Sequence, residues 1–429
     1  MPVNFKNVLQ AACLFAISWF IPFIVDAQDV IDSTCVQKDV PQLLRDALNK
    51  PAKVKSENSG SLILVPIIGS NPATGFMYGV GGQYAFKTGG DSTLYSLLSG
   101  SVQFTTKQQY LFLLKNNIYT KNNRIFFTGD WRFLIFSQST YGLGTNSPEG
   151  GALDYQFHLA GLETNSDSLV QPMKFNFLRI YQSASFNIKS GIYAGIGYNL
   201  DYYFDIEDEK LRLNPGDSLI TSHYAYSKFY GFDPTRYYSS ALNLNVIVDK
   251  RDNMINPYKG YYAIISWRGA FEFLGNKTNA NFIYAEWRSF HSLSKRTPRH
   301  LMAFWVMGTF SPEGEFPYLI LPATGYDQRS RAGRGYTQGR FRGNSFVYAE
   351  AEYRFPISQC SGVLGGVVFG NITTATNPQQ FLTLFESVKP GYGVGLRIMV
   401  DKKSRTNLAV DIAFGEKSSG FYLAASETF

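Results

Sequence analysis

From about residue 75 onward, apolar and polar side chains alternate along the chain with a period of two, which is the pattern of a strand with two different faces. In ALNLNVIVDKRD, Leu242, Leu244, Val246 and Val248 oppose Asn243, Asn245, Asp249 and Arg251. In GYYAIISWRGAFEF, Ile265, Trp267, Phe271 and Phe273 oppose Ser266, Arg268 and Glu272. GVGLRIMVD sets Val394, Leu396, Ile398 and Val400 against Arg397 and Asp401, and NLAVDIAF sets Leu408, Val410, Ile412 and Phe414 against Asp411. Charge keeps to one face, usually with an opposite charge nearby. That suits a hydrated interior, since a midplane Arg or Lys on a lipid face costs about 2 to 4 kcal/mol.

Counting strands from Gly75 gives about sixteen, an even number, as single-chain bacterial barrels have. With both termini on the periplasmic side, connectors after odd-numbered strands face outward. The three longest, residues 206–235, 311–342 and 372–389, fall there, and the short connector 252–259 falls on the other side. Residues 137–150 break the rule as a long connector at the periplasmic end. The expected fold is all-β: a transmembrane antiparallel barrel with a long extracellular loop, which the family resemblance given below implies is folded into its lumen.

That loop is the densest signal in the chain. In EFPYLILPATGYDQRSRAGRGYTQGRFRGNS, Arg329, Arg331, Arg334, Arg340 and Arg342 are interleaved with Gly325, Gly333, Gly335, Gly339 and Gly343. Turning backbone alternates with planar guanidinium groups that need acceptors. The strand that follows, FVYAEAEYRFPI, offers acceptors: Tyr348, Glu350, Glu352 and Arg354 share one face, and Val347, Ala349, Ala351, Tyr353 and Phe355 the other.

RGY at Arg334, Gly335 and Tyr336, followed by EYRFP, resembles the BamA/TamA family of outer-membrane barrels, the bacterial surface antigens. The resemblance implies that the loop enters the lumen and that Arg334 pairs with Glu352, the family's acidic position in the next strand. VVFGNIT aligns with the strand where relatives place an aromatic and an aspartate facing the arginine. Phe369 matches; Asn371 replaces the aspartate, so a neutral amide acceptor is expected there. Gly333, where relatives have valine or leucine, is a second departure and implies a less tightly packed loop. VDKRDNMINPYKGYY is similar to the family's strand-turn-strand signature, although any well-made hairpin explains it equally.

The same resemblance implies a weak seam between the first and last strands. From sequence these are GFMYGVGGQYAFK, with Gly79, Gly81 and Gly82, and GFYLAASETF, from Gly420 to an aromatic end at Phe429 of the kind outer-membrane barrels present to their assembly machinery. Interior glycines weaken a strand, or simply make room for neighbouring aromatics.

Aromatics reach 16% and charged residues only 17%, yet after the first 27 residues no apolar run approaches helix-spanning length,. Only a closed barrel then satisfies the backbone in lipid. Residues 1–27 read as a signal peptide: Lys6, an apolar run from Ala11 to Val25 broken by Pro22, and cleavage after Ala27,. Cys13 lies too early in that run for a lipoprotein site. Residues 28–74 read as a periplasmic tether with a short helix, DVPQLLRDALNK, whose Val40, Leu43, Leu44 and Ala47 share a face; they leave no room for the POTRA domains that relatives carry. SLILVPIIG, residues 61–69, is strand-like and is expected to pack at the barrel entrance. Residues 75–429 form the barrel.

The net charge of +7 invites nucleic acid, but the basic residues lie in the glycine-arginine loop or beside carboxylates, so no exposed basic face emerges. His158, His223, His291 and His300 are scattered without metal-ligand spacing, and there is no G-x-S-x-G elbow or C-x-x-C,. No catalysis, metal or cofactor is expected. Cys35 and Cys360 permit a disulfide without requiring one. The expected partners are outer-membrane lipid and either client outer-membrane proteins or a barrel-assembly partner. The resemblance implies help with protein insertion or translocation; a channel for small solutes and a structural subunit of a surface complex are the other two classes.

Overall fold

A computed structural model describes residues 37–51, 60–71, 75–90, 93–147, 170–214, 216–295, 297 and 299–429. The signal-peptide residues and Cys35 lie outside them; Cys360 is disulfide-bonded. In chain order the elements are helix α1 (Val40–Ala47), then β1 (Ser61–Asn71), β2 (Gly75–Phe86), β3 (Ser96–Thr105), β4 (Tyr110–Tyr119), β5 (Ile125–Thr140), β6 (Gln171–Lys189) and β7 (Ile192–Asp208). A small hairpin, β8 (Arg212–Asn214) and β9 (Asp217–Leu219), and helix α2 (Ser222–Phe229) interrupt the series. It resumes with β10 (Tyr237–Asp249), β11 (Gly260–Ala270), β12 (Ala280–Ser292), β13 (Leu301–Glu313), β14 (Phe346–Pro356), β15 (Leu364–Ala375), β16 (Lys389–Asp401), β17 (Thr406–Gly415) and β18 (Ser418–Ala424).

Apart from β8 and β9, the strands form one sixteen-stranded sheet in which each pairs antiparallel with its sequence neighbours. It curls into a nearly closed barrel. Gln83 on β2 donates to the Thr406 hydroxyl on β17, 323 residues away, at 3.4 Å. No ladder joins β1 to β18 among the described residues, so two strand edges remain where full closure was expected.

The alternation becomes two faces. Leu242, Leu244 and Val246 on β10, Val394 and Leu396 on β16, and Ile412 and Phe414 on β17 are exposed on the outside, whereas Asn243, Asn245, Arg397 and Asp411 are buried in the lumen. The pattern overreaches in one place. β11 stops at Ala270, and Glu272–Leu274 form a 3-10 turn, so Phe273 is exposed in a connector and Glu272 does not line the lumen.

Two expectations about strand order are corrected. The sheet starts at Ser61, not Gly75, because SLILVPIIG pairs with β2 in continuous register from Ser61 opposite Ala85 to Asn71 opposite Gly75. Its apolar run without alternation hid a wall strand. The sixteen strands therefore include one before Gly75, and the connector after Thr140 follows the fifth strand. It lies at the same end as 209–236, 314–345 and 376–388, the end that long loops mark as extracellular. At the opposite end α1 is held by a capping box between Asp39 and Gln42. Lys38 N donates to Ser361 O at 2.8 Å and Lys402 N to Asp39 Oδ2 at 3.2 Å, pinning the helix to two inner turns. None of its residues is buried, and Leu43 and Leu44 of the shared apolar face are exposed.

Candidate functional site

The connector between β13 and β14 folds back into the lumen. Its five arginines each find a different anchor. Arg342 donates to three carbonyls, Tyr318 O and Leu319 O at 3.1 Å and Leu321 O at 2.9 Å, and so closes the 3-10 turn that begins the loop. Arg340 donates to the hydroxyl and carbonyl of Ser147 in the neighbouring connector. Arg331 reaches Leu423 O on β18 and stacks over Tyr422, and Arg329 reaches Thr428 O. Arg334 sits among carboxylates, three of which it hydrogen-bonds.

Arg334 is 1% exposed. Its Nε and Nη2 fork onto Glu350 at 3.0 and 2.6 Å, Nη2 also reaches Glu352 at 2.5 Å, and Nη1 reaches Asp411 on β17 at 2.9 Å. The guanidinium lies 3.5 Å from the Phe369 ring centroid. Burial alone would lower the pKa of this group; Glu350 and Glu352 outweigh it and hold the guanidinium well above its ordinary range. Bidentate, charge-assisted bonds of this kind fix orientation as well as position. The pairing with Glu352 is present, but the fork is made with Glu350, and a third anion comes from Asp411, which the alternation put in the lumen without giving it a partner.

Asn371 has a different role from the one expected. Its Nδ2 donates to the backbone carbonyl of Arg334 at 3.1 Å, and it makes no bond to the guanidinium. Three carboxylates take four of the guanidinium's five N–H donors, and β15 holds the main chain,. Asn371→Asp is therefore expected to destabilise the folded barrel by about 1–3 kcal/mol, because a buried acceptor would face a carbonyl with its donor removed. Denaturant midpoints of the two proteins check this; an unchanged or higher midpoint for the aspartate would return Asn371 to the role of anion substitute.

Gly335 and Tyr336 complete the contact. Gly335 has φ +101, and a Cβ there would stand 2.7 Å from both the carbonyl carbon and oxygen of Phe414. Its N–H donates to the Tyr422 hydroxyl at 3.0 Å. The Tyr336 hydroxyl donates to Pro390 O at 2.6 Å and accepts from Glu416 N, its ring lying where a Cβ on Gly415 would be. Gly333, read as a sign of looseness, does the reverse: at φ +83 a Cβ would come 2.3 Å from Thr324 Cγ2, so glycine lets the loop close on itself.

The residues assigned to the seam are redistributed. Gly79, Gly81 and Gly82 lie on β2, the second strand, where Gly79 admits the Val102 carbonyl and Gly82 the Leu64 side chain. The sheet's free edge on that side is β1. Gly420 is on β18 and makes room for the Tyr422 ring that receives the Gly335 bond. Phe429 is not on a seam strand. β18 ends at Ala424, and the chain turns into the lumen, where Phe429 is 2% exposed against Trp305 and Phe290.

This turn follows from the alternation. Phe421 faces outward, so in a continued strand Glu427 would face outward too, toward lipid. Inside, Glu427 accepts from Arg397 at 2.7 Å and from Asn407 at 2.5 Å. A ring of charges results: Arg334 to Glu352, Glu352 to Arg354 at 2.6 Å, Arg354 to Glu427 at 3.9 Å, Glu427 to Arg397, Arg397 to Asp411 at 2.5 Å, and Asp411 back to Arg334. Loop and tail are thus parts of one network. No grouping of metal-ligating side chains occurs among the described residues.

A model of the Omp85 superfamily domain matches residues 114–429. The chain belongs to the Omp85 superfamily. No curated protein matches it. Among solved structures, this Omp85 barrel is similar to BamA from Haemophilus ducreyi lacking POTRA domains 1-3, with 12% identity over 86% of this chain and 69% of that one at a TM-score of 0.50. CdiB from Acinetobacter baumannii gives 13% identity over 86% of this chain and 60% of that one at 0.48. Wzi from Escherichia coli, a carbohydrate-binding barrel involved in group 1 capsule assembly, gives 9% over 89% and 84% at 0.30. The superfamily, the sixteen-stranded sheet and its apolar outer belt make this an integral protein of a Gram-negative type outer membrane.

Proposed function

We propose that this Omp85 barrel assists the insertion or translocation of proteins at the outer membrane through the seam between β1 and β18. The observation that carries the reading is a sheet whose first and last strands share no ladder although side chains of β2 and β17 meet across the gap. An unpaired edge is a template for strand addition. β1 offers eleven residues, with Leu62, Leu64 and Ile68 exposed on its outer face. Pro66 near its middle lacks a donor and is tolerated at edges with its nitrogen turned away from the ladder. It would divide an added strand's hydrogen bonds into two short runs. The segment before Ser61, pinned through α1, serves as a tether at the periplasmic mouth. The chemistry is non-covalent throughout.

The test uses the protein in liposomes with an unfolded outer-membrane barrel protein as client, scoring folding by resistance of the product to heating before electrophoresis. Gln83→Cys with Thr406→Cys, bridged by a short bis-maleimide, clamps the seam. The clamp is expected to lower any acceleration of client folding at least tenfold, with single-cysteine controls unaffected; full acceleration under the clamp would remove the seam from the mechanism. A passage for small solutes is the second reading, favoured by a cavity of about 230 Å³ between the loop and the wall, lined by Asn199, Asn243, Asn245, Ser266 and Tyr181. A large, steady, ion-selective conductance that the clamp leaves intact and a lumen block abolishes would favour it.

A further inference from the structure

The cavity between the loop and the wall is selective in what it leaves unbonded, and the geometry points to a binding site for a neutral, pyranose-sized sugar held by the Asn199 amide and the hydroxyls of Thr128 and Thr309. The inference goes beyond both readings of the function, since a held sugar needs neither an open seam nor a conducting pore.

Charge is not what the cavity offers. Four charged side chains line it, Asp130, Arg179, Arg268 and Asp327. Arg179 donates to Asp201 at 2.8 Å and lies 3.7 Å from Asp130, whose carboxylate takes Arg132 at 2.8 and 2.6 Å. Arg268 donates to Asp201 at 2.8 Å, and Asp327 accepts from the loop N–H groups of Arg329, Arg331 and Ala332. A charged ligand would have to draw one of these groups out of a buried pair, which is strongly disfavoured.

The open hydrogen-bonding groups are neutral. Asn199 on β7 is 8% exposed and lines the cavity, yet its amide makes no hydrogen bond among the described residues. Buried amides are bonded as a rule, so this one is held ready for a group that enters the space. It presents two donors and a carbonyl acceptor. The hydroxyls of Thr128 on β5 and Thr309 on β13 line the same cavity and make no hydrogen bond either. Ser266 accepts from Asn243 at 2.6 Å and keeps its own O–H to donate,. Groups that both donate and accept match alcohols, which do the same. Tyr284 from β12 and Tyr326 from the loop, both half-buried, add ring surface for the C–H face of a sugar,. At about 230 Å³ the space is smaller than the about 300–1,000 Å³ usual for drug-sized ligands, which suits one ring,. Gln328, which also lines it, is exposed, so the cavity reaches solvent on the loop side.

The probes are the methyl glycosides of glucose, mannose and galactose, titrated against the full-length protein in a detergent without a sugar headgroup and followed by calorimetry. At least one is expected to bind saturably with a Kd of about 1 mM, and glucuronate, glucosamine and glycerol at least tenfold more weakly. Asn199→Leu keeps the side chain's shape and removes its hydrogen bonds. It is expected to weaken binding at least tenfold and to leave the heat-resistant folded band intact, because Asn199 has no partner in the wall to lose. Thr128→Val, which deletes a hydroxyl at constant shape, is expected to weaken binding about threefold. A trisaccharide ending in the ring that binds separates two sources of the same chemistry: equal or tighter binding assigns the site to the end of a glycan, and exclusion assigns it to a free sugar. The inference is overturned if no glycoside saturates below about 10 mM, which would make this a cavity for water only. It is also overturned if the charged sugars or glycerol bind equally well, or if both variants bind like the parent. Binding is expected to be unchanged with the seam clamped, so the outcome of the client assay leaves it standing. Steady conductance without saturable binding refutes this site and spares the passage reading, and saturable binding in a protein that conducts nothing does the reverse.

Discussion

Replacing Arg334 with alanine is expected to destabilise the barrel by about 3–5 kcal/mol, since removing one member of a buried ion network leaves the others uncompensated. Glu350, Glu352 and Asp411 would then face one another with Arg354 and Arg397 as their remaining cations. The loss should appear as a lower urea midpoint and as loss of the heat-resistant folded band. Arg334→Lys should recover little, because a compact ammonium cannot span a fork on Glu350 together with bonds to Glu352 and Asp411. Pairing is tested by a cycle: Arg334→Ala with Glu350→Ala should cost clearly less than the sum of the singles. Glu352→Ala should couple to Arg334→Ala more weakly, because Glu352 also accepts from Arg354 at 2.7 Å. Additive losses at both carboxylates would mean that the loop is held by its other arginines and that Arg334 is a bystander.

How the sequence discloses this site depends on the kind of contact. The period-two pattern was sufficient to put Glu350, Glu352, Arg397 and Asp411 inside, since facing is a local property of a strand. It could not choose among them, because which carboxylate an arginine reaches is set by where loop and strands meet. Glu350 is opposite Asn371 and Glu352 opposite Phe369 in the β14–β15 register, and that register is invisible until the strands are paired. SLILVPIIG carried no alternation, and so its place as β1 was legible only as strand propensity. The inward turn after Ala424 leaves a trace in the sequence: an outward-phased Glu427 at the end of an apolar strand is a conflict that either a partner or a turn must resolve. Gly333 shows the opposite limit. A substitution at a family position says that the packing changes, and only the neighbouring Thr324 decides in which direction.

The second large effect is expected at Gly335, where two constraints coincide. A left-handed backbone costs an L-residue about 1–2 kcal/mol. In addition, a Cβ at this position would meet Phe414 C and O at 2.7 Å and Gly415 N at 3.0 Å, atoms of the β17 backbone that cannot swing aside. Overpacking of this type adds about 1–3 kcal/mol, so Gly335→Ala should lower stability by about 2–5 kcal/mol in total. The distinguishing consequence is positional: the alanine should push the loop away from β17, break the Gly335 N–H bond to the Tyr422 hydroxyl, and draw Tyr336 off Glu416 and Pro390. Arg334, the preceding residue, would lose its 2.9 Å contact with Asp411 before its fork on Glu350, because Asp411 is on the strand from which the loop is displaced. A cysteine-reactive probe at Tyr336→Cys should therefore label the alanine variant much faster than the glycine parent. If labelling stays slow and stability is unchanged, the loop does not depend on close approach to β17, and its docking rests on the ion network alone.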